Sequence, residues 1–315
     1  MTKTWKVALA ESGQKLLPFL KLKLGQGFSL RKLKRAVDMG HCLINGRVER
    51  FASTLVGLGD TVSFYDEQGC LVVSSGNCVS PLSNFSEETN PPNCCQERIL
   101  YIDDDLIAYN KPAGIIAESP HVIEYLIATY GAGVVLLHRL DRETTGVLLF
   151  ARHEKAKEAM LKQFKQRQIT KTYLAITDGV PATPSGMIEN YLGKVSEYQG
   201  QTLMGQVTKE RGSLARTKWI LDRSSPGVAL IRCYPETGRT HQIRIHLAGL
   251  GIAILGDIQY GRRQRCQYRP GRLMLHALTI GFRHPFEAKE VVINAPVPPD
   301  FQQAVDALLP PCEYQ

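Results

Sequence analysis

The sequence predicts two domains: a small α/β module followed by a larger α+β domain with a mixed but largely antiparallel sheet. Beyond residue 97, short apolar runs typical of strands outnumber helical patterns and are often joined by tight turns, which favours an antiparallel sheet. The first 66 residues instead combine two helical patterns with a hairpin signal. A stretch rich in Ser, Pro and Asn separates the two regions.

Length and charge agree with this division. A chain of 315 residues corresponds to two domains at roughly 150 residues each. We assign residues 1–66 to the first domain, 67–96 to a flexible linker and 97–315 to the second. The net charge is +8, and residues 1–66 alone hold 11 basic against 5 acidic side chains. This excess favours a polyanionic partner without identifying one.

Composition also bounds the compartment. No apolar run approaches the roughly 18–20 residues of a membrane span, and the apolar part of the N-terminus is too short for a secretory signal. We therefore expect a cytoplasmic protein with no membrane partner, and a monomer. None of the 8 cysteines forms a C-x-x-C pair, so reduced packing residues are expected. A redox or metal role for Cys94 and Cys95 stays open, although nothing nearby completes a ligand set.

The first domain reads as helix, helix, hairpin and strand. Leucines at helical spacing predict a helix over 16–24 that starts or bends near Pro18. Ser29 is a good N-cap for a second helix, 30–39, whose apolar stripe is Leu30, Leu33 and Val37. Asn-Gly at 45–46 predicts a hairpin, and residues 61–65 form a closing strand.

Basic side chains cluster on the second helix and the hairpin. A charge run is usually a solvated face, but the adjacent hairpin arginine favours contact with RNA phosphates. The order of these elements from Leu16 to Tyr65 resembles an S4 domain, a small RNA-binding module. The resemblance implies that five residues touch the RNA backbone: Arg31, Lys32, Lys34, Arg35 and Arg47.

The second domain opens with two strands, 99–102 and 106–109, followed by Asn110-Lys-Pro-Ala-Gly114, whose Pro and Gly fix a sharp backbone course. That segment is either a pocket wall or an ordinary loop. Next come a helix over 154–168 and a strand over 171–177, then an irregular excursion over 178–214.

Further strands are expected later in the chain. A helix from His241 to Leu250, with Thr240 as its candidate N-cap, interrupts them, and a short final helix closes the chain. In the helix from His241 to Leu250, the side chains of Gln242 and Arg244 are expected to point away from the buried apolar stripe. The expected strands cover 215–221, 228–234, 253–255, 273–275, 278–280 and 291–293.

A charged loop lies between two buried strand patterns, 134–137 and 147–150. Asp141 is at its centre, and a nucleophilic aspartate would need a cation nearby, since burial raises a carboxyl pKa and a cation lowers it. Arg139 and Arg142 are local candidates and Arg244 is a distant one. A structural ion pair at a strand end explains the same residues. Glu143 as an acid/base partner is neither supported nor excluded.

The sequence lacks the motifs of several common classes of enzyme. The sequence has no Walker loop, no dinucleotide fingerprint after a strand, no G-x-S-x-G elbow and no H-E-x-x-H, which is consistent with a reaction that needs no cofactor and no metal. His138 and His241 could be acid/base groups, but each lies near an arginine and is better explained as positioning its loop by hydrogen bonds.

Five segments of the second domain resemble RluA-type pseudouridine synthases in the family's order. A small departure is Thr145, where serine is usual, and it keeps the hydroxyl. The resemblance spans roughly residues 99–295. The matching segments are Ile99 to Gly114, His138-Arg-Leu-Asp-Arg-Glu-Thr-Thr-Gly146, Lys171-Thr-Tyr173, Thr237-Gly-Arg-Thr-His-Gln-Ile-Arg-Ile-His246 with Leu255-Gly-Asp257, and Leu275-His-Ala277.

The resemblance implies an RNA uridine isomerase and a role for each matched residue. Asp141 would be the nucleophile, Arg244 would pair with it, and Tyr173 would stack on the flipped base and assist proton removal. Arg139 would enter the RNA stack. The segment from Lys111 to Gly114, with His138, Thr240 and His241, would shape the substrate pocket.

Three functions remain in contention at this stage. A modifying enzyme for ribosomal RNA, or for tRNA, is favoured. A non-catalytic RNA-binding or ribosome-assembly factor and, more weakly, a glycosylase remain alternatives. Whether Asp141 attacks base or sugar, and which uridine reacts, stay open.

Overall fold

The structure is a computed structural model that describes residues 2–25, 28–38, 41–45, 47–49, 52–65, 97–198, 201–261 and 265–310. The chain divides into two compact units, Met1–Thr89 and Asn90–Gln315. The predicted linker, 67–96, which includes Cys94 and Cys95, lies outside the described residues.

The N-terminal unit is a four-stranded antiparallel sheet with two helices. The strand order is β1-β4-β2-β3. The two helices, the hairpin and the closing strand were predicted, whereas β1, which pairs with β4, was not. The elements are β1 Thr2–Lys6, α1 Leu16–Leu24, α2 Leu30–Asp38, β2 Cys42–Ile44, β3 Arg47–Glu49 and β4 Thr61–Tyr65.

The two helices pack through a shared apolar cluster that contains Leu16, Phe19, Leu33 and Val37. The hydroxyl of Ser29 accepts a hydrogen bond of 3.1 Å from the amide of Lys32, as expected of an N-cap. The predicted stripe included Leu30 wrongly, because this side chain is 52% exposed at the first position of α2.

The C-terminal unit contains one large sheet, as the α+β prediction requires. The path of strands is β11-β10-β12-β13-β9-β14-β8-β6-β5, with β15 paired to β14 and β7 paired to β8. Among the described strand pairs, β8 and β14 alone are parallel. The strands are β5 Ile99–Ile102, β6 Leu106–Lys111, β7 Val135–Leu136, β8 Thr145–Ala151, β9 Thr170–Asp178, β10 Ser185–Tyr198, β11 Gln201–Val207, β12 Ser213–Ser225, β13 Val228–Pro235, β14 Leu275–Arg283 and β15 Glu290–Asn294.

In the described part of this unit four helices cover the sheet, and β8, one of its inner strands, is buried along its whole length. Leu148 and Phe150 pack in one cluster with α3, whereas Leu149 packs in another with α4. A strand covered on both faces explains why its sequence is continuously apolar. The helices are α3 Pro120–Tyr130, α4 Glu154–Lys165, α5 Gln242–Gly249 and α6 Pro299–Leu308. Within the described ranges, no helix is both long and apolar enough to cross a membrane.

The structure of this unit differs from the prediction in several places. The stretch 178–214 contains the long β10–β11 hairpin, where glycines replace the alternating bulky residues that mark a strand. A Cβ added to Gly193 would lie 2.6 Å from the carbonyl oxygen of Arg211, so close backbone approach requires glycine there. Helix α3 was missed, and the expected strand 253–255 is a single bridge between Thr177 and Ile254.

Candidate active site

Asp141 lies in the loop between β7 and β8, with its side chain 26% exposed. The loop is tied down at both ends. The amide of Leu137 donates to the carbonyl of Leu149 at 3.0 Å, and that of Thr144 donates to the carbonyl of Asp141 at 3.1 Å. The aspartate is therefore mounted between the short, partly buried β7 and the fully buried β8, which restricts its position.

Lys111 and Gly114 hold the backbone of this loop in place by hydrogen bonds. The ammonium of Lys111 donates to the carbonyl oxygens of Pro112, Ile115 and Arg142, each at 2.9 Å. The amide of Gly114, at φ 87°, also donates to Arg142 at 2.9 Å. Because Lys111 is only 1% exposed, it holds the backbone of the loop in place and does not present its charge at the surface.

The strand after the loop is fixed by a close contact with β14. A Cβ on Gly146, which has φ 113°, would lie 2.1 Å from the carbonyl oxygen of Ala277, so this position requires glycine. The hydroxyl of Thr145 hydrogen-bonds Nδ1 of His276 at 2.8 Å in the buried interior. The hydroxyl at position 145 thus links the two parallel strands behind the loop.

Arg244 on α5 approaches Asp141 from the other side of the site. Its Nη1 lies 3.5 Å from Oδ2 of Asp141. Its Nε and Nη2 donate to the two carboxylate oxygens of Asp257 at 2.8 and 2.9 Å. Burial opposes its charge, but the hydrogen bonds and charge of Asp257, with the charge of Asp141, raise the pKa of Arg244. The guanidinium is therefore cationic beside Asp141, the pairing that the sequence implied.

Asp257 is a site residue to which the sequence assigned no role. Its side chain is fully buried, and its Oδ1 accepts the amides of Gln259 and Tyr260, both at 3.0 Å. Burial alone would raise the pKa of Asp257, but the hydrogen bonds and charge of Arg244 lower it. The Leu255-Gly-Asp257 match was its one sequence signal, and spacing from Arg244 does not reveal the contact.

Tyr173 is half-buried on β9, where it is paired in register with Ala277 and Cys233. Burial, and then the negative charge of Asp141, raise the pKa of Tyr173. The phenol is therefore neutral at physiological pH and close enough to Asp141 to sense its charge. Such a ring offers an aromatic face beside the carboxylate.

The two histidines have different environments. Nε2 of His138 accepts the amide of Leu149 at 3.1 Å, and burial followed by the charge of Lys171 lowers the pKa of His138 to about 3. His138 is thus a neutral loop anchor. Nδ1 of His241 hydrogen-bonds the Tyr260 hydroxyl at 2.8 Å. Burial lowers the pKa of His241, although Asp141 opposes the shift.

The start of α5 differs from the prediction. The N-cap is His241, in the left-handed region at φ 57°, and exposed Thr240 does not cap the helix. Gln242, expected to point away from the core, is 4% exposed. Its amide group bonds Thr237, the amide of Arg239, Thr217 and the carbonyl of Arg216, at 2.7 to 3.0 Å. This buried amide replaces the expected cap in fixing the turn before Arg244.

Arg139 is on the surface of the loop, 71% exposed, and its Nε pairs with Glu118 at 2.8 Å. In the N-terminal unit, Arg31, Lys32 and Lys34 are exposed on α2. The side chains of Arg35 and Arg47 lie outside the described residues.

One group of possible metal ligands occurs in the described residues, at Asp103, Asp105 and His284. Nδ1 of His284 accepts the amide of Glu287 at 3.1 Å, so its proton is on Nε2, which lies 3.0 Å from Oδ2 of Asp103. The histidine therefore donates to the carboxylate, and the three residues form a hydrogen-bond network.

Comparisons with known proteins agree on one family. The RNA pseudouridylate synthase family model matches residues 105–249, which include Asp141, Tyr173 and Arg244. An uncharacterised RNA pseudouridine synthase of Zymomonas mobilis is 35% identical over 65% of this chain and 95% of its own length. Ribosomal large subunit pseudouridine synthase C of Haemophilus ducreyi is 32% identical over 91% of this chain and 89% of its own.

A solved structure shares the fold over about two thirds of this chain. Human RNA pseudouridylate synthase domain containing 4 superposes with a TM-score of 0.57 at 26% identity, covering 67% of this chain and 93% of that one.

Proposed function

This chain belongs to the RluA family of RNA pseudouridine synthases, and we propose that its substrate is large-subunit ribosomal RNA. The observation that carries this substrate class is the match to the Haemophilus ducreyi ribosomal enzyme over 91% of the chain, which extends into the N-terminal unit. Transfer RNA is the second candidate, and pseudouridine mapping separates the two.

The reaction breaks the bond between C1′ and N1 of a uridine and joins C1′ to C5, so atoms are conserved. Asp141 acts as the nucleophile, and Arg244 orients it across the 3.5 Å ion pair. The target base must leave its stack at a cost of a few kcal/mol. Tyr173 recovers part of this cost by stacking, which contributes about 1–3 kcal/mol per base. The exposed Arg139 enters the gap that the base leaves.

The neutral state of Tyr173 limits how it could assist in removing the C5 proton. Because the pKa of this phenol is raised by burial and by Asp141, it does not serve as a base from the phenolate form at physiological pH. Stacking against the flipped base is therefore the role that we assign to it first. Any part in moving the C5 proton requires the hydroxyl to pass that proton on.

The N-terminal unit is proposed as an S4-type RNA clamp. Its exposed α2 side chains Arg31, Lys32 and Lys34 would contact phosphates, together with Arg35 and Arg47. The enzyme would act as a cytoplasmic monomer. Phosphate contacts of this kind add affinity without naming a sequence, so the choice of uridine rests on RNA shape and on the catalytic unit.

The alternatives make different predictions about products. A non-catalytic binding factor would need no aspartate beside a cationic arginine, and a carboxylate there repels phosphate. A glycosylase would release free uracil. Retention of the base as pseudouridine in the same chain supports the isomerase, whereas free uracil would identify the glycosylase.

The test maps pseudouridine across total RNA from cells with and without the gene. We expect one or a few sites in large-subunit ribosomal RNA to lose pseudouridine without the gene and to regain it when purified protein is added. Loss confined to transfer RNA would overturn the ribosomal assignment and leave the enzymatic one intact. An unchanged map, with no product from the purified protein, would contradict both.

A further inference from the structure

The guanidinium group of Arg244 is held mainly by a residue other than Asp141. Its Nε and Nη2 form a bidentate pair with Asp257 at 2.8 and 2.9 Å, and Nη2 also contacts Oε1 of Gln259 at 3.2 Å. Nη1 is left for Asp141, at the longer distance of 3.5 Å. One edge of the planar guanidinium group is therefore already occupied by Asp257, and only Nη1 faces Asp141.

Asp257 is itself fixed, which makes it a suitable anchor. Its side chain is fully buried, and the amides of Gln259 and Tyr260 bind its Oδ1 at 3.0 Å. The ring of Tyr260 covers the guanidinium, with its centroid 4.9 Å from the central carbon. The hydroxyl of that ring is bonded to His241 at 2.8 Å. The guanidinium of Arg244 is thus held along one edge by Asp257 and over one face by the ring of Tyr260.

The loose contact with Asp141 has a chemical use. Charge-assisted hydrogen bonds of this type are about 2.7–2.9 Å long, so a separation of 3.5 Å is an ion pair that orients without locking. A nucleophile must leave its partner to reach the substrate. A second carboxylate that occupies the other edge of the arginine prevents the cation from closing tightly on the first.

We infer that Asp257 is a positioning residue for the isomerisation: it holds Arg244 so that a single nitrogen faces Asp141 and its charge keeps that pair loose. The inference rests on the proposed role of Asp141 as the reacting group. Asp257 acts through Arg244 and touches no substrate atom.

The chain supplies a matched control. Arg272 and Asp300 form a bidentate pair of the same kind, with Nε to Oδ2 at 2.6 Å and Nη2 to Oδ1 at 2.8 Å. Asp300 is at the start of α6 and has no part in the proposed mechanism. An asparagine at either position removes one carboxylate from one bidentate pair.

The experiment measures kcat, apparent KM and the pH dependence of kcat for D257N and D300N, with total RNA from cells that lack the gene as substrate. We expect kcat of D257N to fall about 100-fold, as for a small misplacement of a reacting group. Apparent KM should change less than about 2-fold, since no substrate contact is lost. The acidic limb of the pH profile of kcat should change in D257N alone, because only this substitution removes a negative charge bound to Arg244. D300N should match the wild type.

The outcomes separate the possible failures. Equal kcat and an unmoved acidic limb in D257N, beside an active wild type, would overturn the inference. A change in KM with kcat preserved would do the same. If D257N does not fold, Gln259→Leu tests the same idea, because it removes only the 3.2 Å acceptor and should give a smaller loss of kcat at constant KM. An inactive wild type would instead mean that the proposed function is wrong.

Discussion

The ammonium group of Lys111 donates a hydrogen bond of 2.9 Å to the carbonyl oxygen of Arg142, 31 residues further along the chain. Arg142 directly follows Asp141, so this contact ties the end of β6 to the backbone of the loop that carries Asp141. Burying a lysine for this purpose is costly, and its three carbonyl partners offset that cost.

Substituting Lys111→Met should destabilise the C-terminal unit. Three buried carbonyls would lose a charged donor, and we expect the free energy of unfolding to fall by about 3 kcal/mol or more. Urea denaturation followed by circular dichroism measures this change. Lys155→Met, at an exposed position on α4, should shift it by less than about 0.5 kcal/mol. Equal stabilities for the two variants would contradict the structural role.

Asp141→Asn should separate binding from chemistry. The amide has almost the same shape but cannot act as the nucleophile, so pseudouridine formation should fall by more than about 1,000-fold. The loop contacts at Leu137 and Thr144 are made by backbone atoms and should persist. RNA affinity, measured by filter binding, should therefore stay within a few fold of the wild type. Near-normal product formation would show that another group attacks.

Order along the chain was enough to locate the charged loop around Asp141, because its flanking strands are short apolar runs and its polar residues are contiguous, whereas the catalytic role of that loop came from the family resemblance. Contacts between residues that are far apart in the sequence were harder to predict. Arg244 was placed beside Asp141 by family resemblance, whereas the stronger contact with Asp257 depends on how the chain turns after α5. A sequence shows which residues are charged, but it does not show which of two carboxylates, that of Asp141 or that of Asp257, forms the closer pair with Arg244.

The errors in the fold have a common physical cause. The β10–β11 hairpin contains Gly193 and Gly205, whose missing side chains interrupt the alternation that marks a strand. Gly193 allows the close approach of the Arg211 backbone, and Gly205 leaves room for the side chain of Val195. The turn before α5 is fixed by the buried amide of Gln242, and no local pattern distinguishes that amide from an exposed one. In both places tertiary contacts determine the structure.

Tyr173 should contribute to RNA affinity through its ring. In the Asp141→Asn background, where RNA is not consumed, Tyr173→Ala should weaken binding by about 1–3 kcal/mol. Tyr173→Phe keeps the aromatic face and should bind within about 2-fold of its parent. Titration of fluorescently labelled RNA measures both. Equal affinity of the alanine and phenylalanine variants would rule out stacking as the role of this residue.

The basic face of α2 should control the salt dependence of binding. Replacing Arg31, Lys32 and Lys34 together by Gln should weaken RNA binding and reduce the slope of log K against log salt by about 2, for three lost phosphate contacts. Replacing three exposed lysines of α4 by Gln makes the same change in net charge and serves as the control. A similar slope change in both triple variants would mean that net charge, and not this face, drives binding. The control positions are Lys155, Lys162 and Lys165.

Buried histidines should make the catalytic unit acid-sensitive. Burial lowers the pKa of His138 to about 3, and those of His246 and His276 to about 4, from 6.5. Below pH 6.5 the unfolded chain therefore binds protons that the folded chain does not, so stability is lost as the pH falls.

Each histidine contributes up to about 1.4 kcal/mol per pH unit in this window, which ends where the folded side chain also takes up its proton. His276→Asn should therefore flatten the fall in unfolding free energy between pH 6.5 and about 4, measured by urea denaturation at several pH values. His121→Asn, at an exposed position, is the control for the removal of one histidine. A slope that is the same in His276→Asn as in the wild type would show that this buried ring takes up its proton without unfolding the protein.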